Sequence, residues 1–235
     1  MIVFIIPVKS KKVATYWLAL CQLFERSLRD DSSRETMLED YQADIDRYVI
    51  TQGGSWIYHL LTKQGLWALA EYRFSRWVRT EVQIPIIKQI LKTLGFIWHK
   101  IIEIIAGIDI PSKTQIGKGF YIGHFGGIII NQDVKIGENC NISQGVTIGV
   151  GGRGEKSGCP VIGDRVFIGP GAKIFGKIRI GNDVAIGANA VVTKDLPDNA
   201  VAVGIPAKII SYEGSQDLVI LGADNGMKKE ISSEN

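Results

Sequence analysis

The sequence predicts an α+β chain, with a helical N-terminal region followed by a parallel β-helix of short stacked strands. Three observations carry this. Residues 10 to 107 place apolar side chains at helical spacing with few glycines, whereas residues 108 to 210 hold most of the 27 glycines. In the second part an aliphatic residue recurs every six positions: at Ile110, Ile116 and Ile122, then at Ile130, Ile136, Ile142 and Ile148, then from Ile162 through Ile168, Ile174, Ile180 and Ile186 to Val192. A glycine follows it at eight of these thirteen positions, and a small or β-branched residue such as Val134, Cys140 or Ala172 often stands four places after it. One buried aliphatic and one glycine free to take positive φ in every six residues suit a short strand ending in a sharp corner. Such units stack into coils around an aliphatic column. An antiparallel meander would instead show period-two alternation and hairpin dipeptides such as Asn-Gly, which the repeat lacks.

Taken in order, residues 2 to 6 read as a strand. Charges follow this apolar run instead of preceding it and Pro7 cuts it short, unlike a secretory leader. A helix is expected over 13 to 28, and another opening at SSRE, where Ser32 and Glu35 have capping-box spacing. Helices then follow over 56 to 80 and 86 to 105. Trp56, Leu60, Trp67, Phe74 and Trp77 are spaced to build one apolar face, and His59 and His99 read as satisfied structural histidines. The segment 84–107 is about long enough to span a bilayer, yet Lys88, Lys92, His99, Lys100 and Glu103 interrupt it. Its apolar residues Ile87, Ile90, Leu91, Leu94, Trp98, Ile101, Ile102 and Ile105 recur at helical spacing, which predicts an amphipathic helix packed on protein, with adsorption to a membrane surface as the alternative. Asp44-Ile45-Asp46 imitates a metal-binding DxD, but its acidic helical setting predicts a solvated face, and no metal is expected.

A net charge of +3, from 27 basic and 24 acidic residues, is too small and dispersed for a nucleic-acid footprint. Cys21, Cys140 and Cys159 have neither even pairing nor CxxC spacing, so a disulfide framework and a zinc cluster are both disfavoured and a reducing cytoplasm fits.

The pattern [LIV]-G-x4 resembles the hexapeptide-repeat acyltransferases. Within them GIDI (107–110), GHFGGIIIN (123–131), QGVTIG (144–149) and GIPAKII (204–210) look like the serine acetyltransferase branch. The resemblance implies a left-handed parallel β-helix, assembly as homotrimers or dimers of trimers, and acetyl transfer from acetyl-CoA to a hydroxyl between neighbouring β-helices. The change in periodicity and glycine content near 107 and the polar end divide the chain into an extension (1–30), a helical domain (31–107), the β-helix (108–210) and a flexible tail (211–235). The extension resembles the first strand and helix of a GT-A glycosyltransferase.

On this resemblance His124 is the general base and Asp109 its orienter, and no metal is involved. An alcohol needs such a base to attack a thioester at neutral pH. Acetyl-CoA would lie along coil corners at Gly149 with Val150, Gly169 with Pro170 and Gly187 with Ala188, with Lys208 as a cationic phosphate contact. Arg153 and Lys156, on a glycine-rich insertion at 149–159, read equally as phosphate contacts or as solvated loop charges. The six-residue count slips at His124, where Ile122 and Ile130 stand eight apart, so a bulge is expected to re-aim this side chain. Two departures bear on the acceptor. Serine acetyltransferases typically carry Asp-His where this chain has Gly123-His124, and Arg-His where it has Gly158-Cys159. L-Serine and a saccharide hydroxyl therefore both stand as acceptors, and a non-catalytic trimeric scaffold that binds CoA is the rival reading. Family members that dock with the next enzyme of cysteine synthesis end in isoleucine. This chain ends KKEISSEN, so cysteine synthase docking is not expected.

Overall fold

The computed structural model describes residues 37–221. The expected strand at 2–6, the helix at 13–28, the capping box and the GT-A-like extension lie outside the described residues, as does the chain from 222 onward. Four helices, α1 (Met37–Gln52), α2 (Trp56–Thr62), α3 (Gln64–Thr80) and α4 (Pro85–Ala106), precede fifteen short strands.

The single helix expected over 56–80 is two. Lys63 takes an extended conformation (φ −102°, ψ 106°) and separates α2 from α3. The break lets Gly65 sit where a Cβ would lie 2.3 Å from Tyr48 Oη and 2.8 Å from Ile122 Cβ. The expected apolar face is also rearranged. Trp56 is exposed, Leu66, Leu69 and Tyr72 are the residues buried on the β-helix, and Phe74 packs with Trp77 and Trp98 at centroid distances of 6.1 and 5.8 Å. In α4 the packed line is Gly95, Ile102 and Ala106, while Ile90, Leu94, Ile101 and Ile105 of the expected stripe are exposed. Periodicity found the helix and half of the face that meets its neighbour: Ile102 is buried and Ile87, Leu91 and Trp98 are half-buried, whereas the small residues Gly95 and Ala106 of that face were not part of the stripe. Among the described residues no helix is long and apolar enough to cross a membrane.

The strands form a three-faced parallel β-helix. Face A holds β1 (Ile108–Asp109), β4 (Ile128–Ile130), β7 (Thr147–Gly149), β10 (Lys173–Phe175) and β13 (Val191–Val192). Face B holds β2 (Gln115–Ile116), β5 (Lys135–Ile136), β8 (Val161–Ile162) and β11 (Arg179–Ile180). Face C holds β3 (Tyr121–Ile122), β6 (Asn141–Ile142), β9 (Phe167–Ile168), β12 (Ala185–Ile186) and β14 (Val201–Val203), and ends in an antiparallel strand, β15 (Lys208–Ser211). Register keeps like over like: Ile130 pairs with Ile148, which pairs with Ile174, which pairs with Val192. All thirteen predicted column residues are buried.

The glycine of the repeat has a different task from the one expected. Gly117, Gly137 and Gly163 are absent from the positive-φ positions, which fall two residues later, at Gly119, Asn139 and Arg165. The glycines are needed because coils stack closely there: a Cβ on Gly137 would lie 2.6 Å from Gly163 O and 2.1 Å from Asp164 Oδ1. Asparagine and aspartate tolerate the left-handed corner, which leaves glycine for the tight approach.

The bottom of the β-helix would be an open edge, with backbone groups of the first coil lacking a strand below. Side chains of α1 and α3 close it. Tyr72 Oη donates to Thr114 O (2.8 Å) and accepts from Ile116 N (3.1 Å), and Tyr48 Oη donates to Ile122 O (2.8 Å) and accepts from Ile122 N (3.3 Å). Asp44 accepts from Phe120 N at 2.8 Å and from Arg73 Nε and Nη2 at 2.9 and 3.0 Å, and Arg73 also donates to Ile116 O and Gly117 O. Asp44 is therefore fully buried, not part of a solvated face. Burial pushes its carboxyl up to about 6 against the opposing pull of Arg73. The start of the expected flexible tail is likewise packed: Ser215 Oγ donates to Arg165 O (2.5 Å), Asn141 Nδ2 donates to Leu218 O (3.0 Å), and Val219 is buried.

Candidate active site

The two interruptions of the repeat are where chemistry gathers. Each coil passes from face C to face A through one corner, and successive corners stack: Gly145 N donates to Gly126 O (2.8 Å), Gly171 N to Gln144 O (2.9 Å) and Asn189 N to Pro170 O (2.8 Å). The lowest of these corners carries the insertion. Asp109 pairs with Ile129 and Ile129 with Thr147, so the first coil is two residues longer than the second. The extra length bulges at Gly123–Gly127, with Gly126 and Gly127 at φ 101° and 65° and the side chains of His124 and Phe125 exposed. His124 thus shares one corner of the molecule with Gly169-Pro170 and Gly187-Ala188, two of the three expected CoA positions.

Lys208 belongs to the same edge, since it pairs with Val203, whose Cγ1 would lie 2.7 Å from a Cβ on Gly187. Gly149 and Val150 do not join that column. They end β7 at the opposite edge of face A, where Val150 is exposed. There they line a groove of about 420 Å³ with Asp109, Asn131 and Phe175. The predicted residues therefore flank one face of the β-helix, His124 and the corner glycines on one side and Gly149 on the other.

Asp109 sits in β1, which follows α4 directly through the left-handed cap Gly107 (φ 61°, ψ 36°). Among the described residues its side-chain hydrogen bond is not to His124. Asp109 Oδ1 lies 3.2 Å from His99 Nε2, and His99 Nδ1 lies 3.0 Å from Glu71 Oε2. His99 is the satisfied histidine expected, but one of the groups that satisfies it is the predicted orienter. The Asp109 side chain keeps 39% of its surface open, so it remains accessible from the groove. His59 is satisfied only on one side: Nε2 lies 2.6 Å from Gly53 O, whereas its buried Nδ1 has no hydrogen-bond partner among the described residues.

The insertion at 149–159 is pinned at its base by paired hydrogen bonds between Gly151 and Gly158, both 3.0 Å. Gly158 lies so close to Lys177 that a Cβ would meet its Cβ at 2.9 Å. Cys159 is turned onto the β-helix, its Sγ donating to Asn131 Oδ1 at 3.4 Å, and burial raises its thiol pKa, so it is a packed residue and not an activated nucleophile. Among the described residues no cluster of three or more His, Cys, Asp or Glu is arranged to hold a metal.

Comparison with known proteins bears on the family and the fold. The family model "Bacterial transferase hexapeptide (six repeats)" matches residues 159–194. A serine acetyltransferase of Synechococcus elongatus is 32% identical over 182 residues, covering 77% of this chain and 70% of its own length. The solved structure of a Neisseria gonorrhoeae serine acetyltransferase in complex with serine superposes with a TM-score of 0.64 at 28% identity, covering 74% of this chain and 69% of that one. A serine acetyltransferase in complex with CoA gives 0.62 at 30% identity, covering 74% and 69%. The left-handed coil implied by the repeat is the fold of these relatives.

Proposed function

The chain belongs to the serine acetyltransferase family, and from that premise we propose that it transfers the acetyl group of acetyl-CoA to the hydroxyl of L-serine, with His124 as general base and Asp109 as its orienter. The observation that carries this is the placement of His124. The only two-residue insertion of the first coils lifts it out of a regular corner, in column with the corner glycines and beside the face that bears Asp109. A neutral imidazole there takes the proton of the acceptor hydroxyl as its oxygen attacks the thioester carbon. The tetrahedral intermediate then collapses with loss of the CoA thiolate, which receives the proton back from the imidazolium. Asp109 favours the imidazolium that forms in between.

The CoA chain runs along the stacked corners at Gly169-Pro170 and Gly187-Ala188, where the Gly169 and Gly187 amides are taken by the coil above and the Ala188 backbone is left to meet it, and Lys208 supplies a cation at the edge. Gly149 and Val150, across face A, serve the same ligand from a neighbouring β-helix, which requires a homotrimer. The unpaired Cys140 and Cys159 fit a cytoplasmic setting. A saccharide hydroxyl is the second reading, favoured by Gly123: the residue beside the base carries no carboxylate to meet an ammonium group, and the polar atom nearest to where its Cβ would stand is the neutral Ser143 Oγ, at 3.4 Å.

Thiol release from acetyl-CoA in the presence of L-serine tests the proposal, with saccharides as parallel acceptors. His124→Ala is expected to cost about 10²–10⁴-fold in turnover. Turnover untouched by that substitution overturns the mechanism, and turnover with a saccharide but not with serine decides for the second reading.

A further inference from the structure

Outside the residues used so far, the contact of His99 with Glu71 and Asp109 reaches into the mechanism. Gly95 lets α3 and α4 approach, since a Cβ there would lie 2.7 Å from Ser75 Oγ. One turn later His99 faces Glu71, whose side chain is 3% exposed and which also accepts from Ser75 Oγ at 2.6 Å. The other ring nitrogen faces Asp109 Oδ1. Two ionised carboxylates accept but cannot donate, so a neutral imidazole, with one N–H, satisfies only one of them. The imidazolium satisfies both.

We propose that His99 is a positioning residue for acetyl transfer: anchored on the buried Glu71, its cationic ring holds Asp109 by one oxygen and presents the other to His124. The proposal rests on the reaction proposed above. The local electrostatics agree in direction. The hydrogen bond to Glu71 raises the His99 pKa, and charge from Glu71 and Asp109 adds to it against partial burial. Other charged groups around the ring come from α3 (Arg79) and α4 itself (Lys92, Lys100 and Glu103); Arg79 and Lys92 line with His99 a cavity of about 350 Å³. They are of mixed sign, whereas the two groups in contact are both acidic.

His99→Gln removes the cation and keeps a single-ended donor. Its kcat is expected to fall about tenfold or more, the scale of a slightly misplaced catalytic group, with KM for acetyl-CoA within about twofold of the wild type, because His99 does not touch the CoA track. The wild-type pH profile of kcat should fall on the alkaline side as His99 loses its proton. The alkaline fall should vanish in His99→Gln and move to lower pH in Glu71→Gln. In an Asp109→Asn background His99→Gln should cost nothing further. An unchanged profile, or equal losses with and without Asp109, overturns the proposal, the latter because it marks a merely structural histidine.

A wild-type protein that does not acetylate serine would sink the reaction and not the clamp. Titration of ¹⁵N-labelled His99 by NMR then decides: its pKa drops in Asp109→Asn if the clamp exists, and an unmoved value overturns it. Glu71→Gln provides the same NMR and kinetic readouts should His99→Gln fail to fold.

Discussion

Replacing Arg73 by methionine is the sharpest test of how the helical domain and the β-helix hold together. The Arg73 side chain is almost fully buried and makes five hydrogen bonds: two to Asp44, one to Asp40 (3.2 Å), one to Ile116 O (2.9 Å) and one to Gly117 O (2.7 Å). Methionine fills similar volume and supplies none of them. Asp44, with no exposed surface, is left with Phe120 N as its remaining donor. Removing one partner of a buried ion pair costs about 3–5 kcal/mol, far more than the net worth of the pair, because an uncompensated charge stays behind. The cost depends on pH in a definite sense. Even with Arg73 present, burial holds the Asp44 carboxyl at about 6, above the roughly 3.9 of an unfolded aspartate. Between those values the folded state binds a proton that the unfolded chain lacks, so this group's contribution falls as pH rises through the window. Without the guanidinium the folded value rises further and the window widens upward. Urea denaturation of Arg73→Met should therefore show a deficit larger at pH 8 than at pH 5, and the double variant Asp44→Asn/Arg73→Met should recover part of it. A loss under about 1 kcal/mol, or a deficit that does not shrink on acidification, would refute the argument that Arg73 compensates a buried charge.

Two further outcomes follow from the geometry. Lys208→Ala should raise KM for acetyl-CoA several-fold, consistent with a lost charge-assisted contact of about 1.5–3 kcal/mol at most, while KM for the acceptor stays put; initial-rate kinetics with each substrate varied check this. Gly107→Ala places a Cβ 3.2 Å from Gly127 N and 3.3 Å from Gly126 Cα at φ 61°, so it should cost about 1–2 kcal/mol of stability and lower kcat by more than that destabilisation explains; parallel denaturation and rate measurements separate the two.

The parts of this structure governed by local repetition were legible in the sequence. Every residue of the aliphatic column from Ile110 to Val192 is buried, and both slips in the count fall where the coil bulges or extends a loop. What was illegible depends on which surfaces meet. Hydropathy in α4 places Ile102 on the packed face but misses Gly95 and Ala106, because close approach there selects small residues that carry little apolar signal. Asp44 looked like a solvated acid because its partner is Arg73, 29 residues away, and its other contact is Phe120 N. The signal that existed was a tyrosine or charged residue recurring inside the apolar helical pattern, as with Tyr48, Tyr72 and Arg73. Polar groups on a buried helix face need acceptors, and the unpaired edge of a β-helix has them. The repeat glycines were assigned to backbone freedom, when a single sequence cannot distinguish a positive φ from a close approach.

The same edge explains why the two predicted functional residues belong to one mechanical unit. Asp109 follows α4 after only two intervening residues beyond its last turn, so its position is set by how α4 packs on α3. The bulge that carries His124 ends at Gly127 and Ile128, and Ile128 N donates to Gly107 O at 3.0 Å, at the cap of that same helix. Gly107 therefore anchors Asp109 on one side and the loop that carries His124 on the other, and the helices supply the frame for both. Glu71 and His99 add a second attachment from α3 and α4 to Asp109, so displacement of the helices would reach the carboxylate through its side chain as well as its backbone.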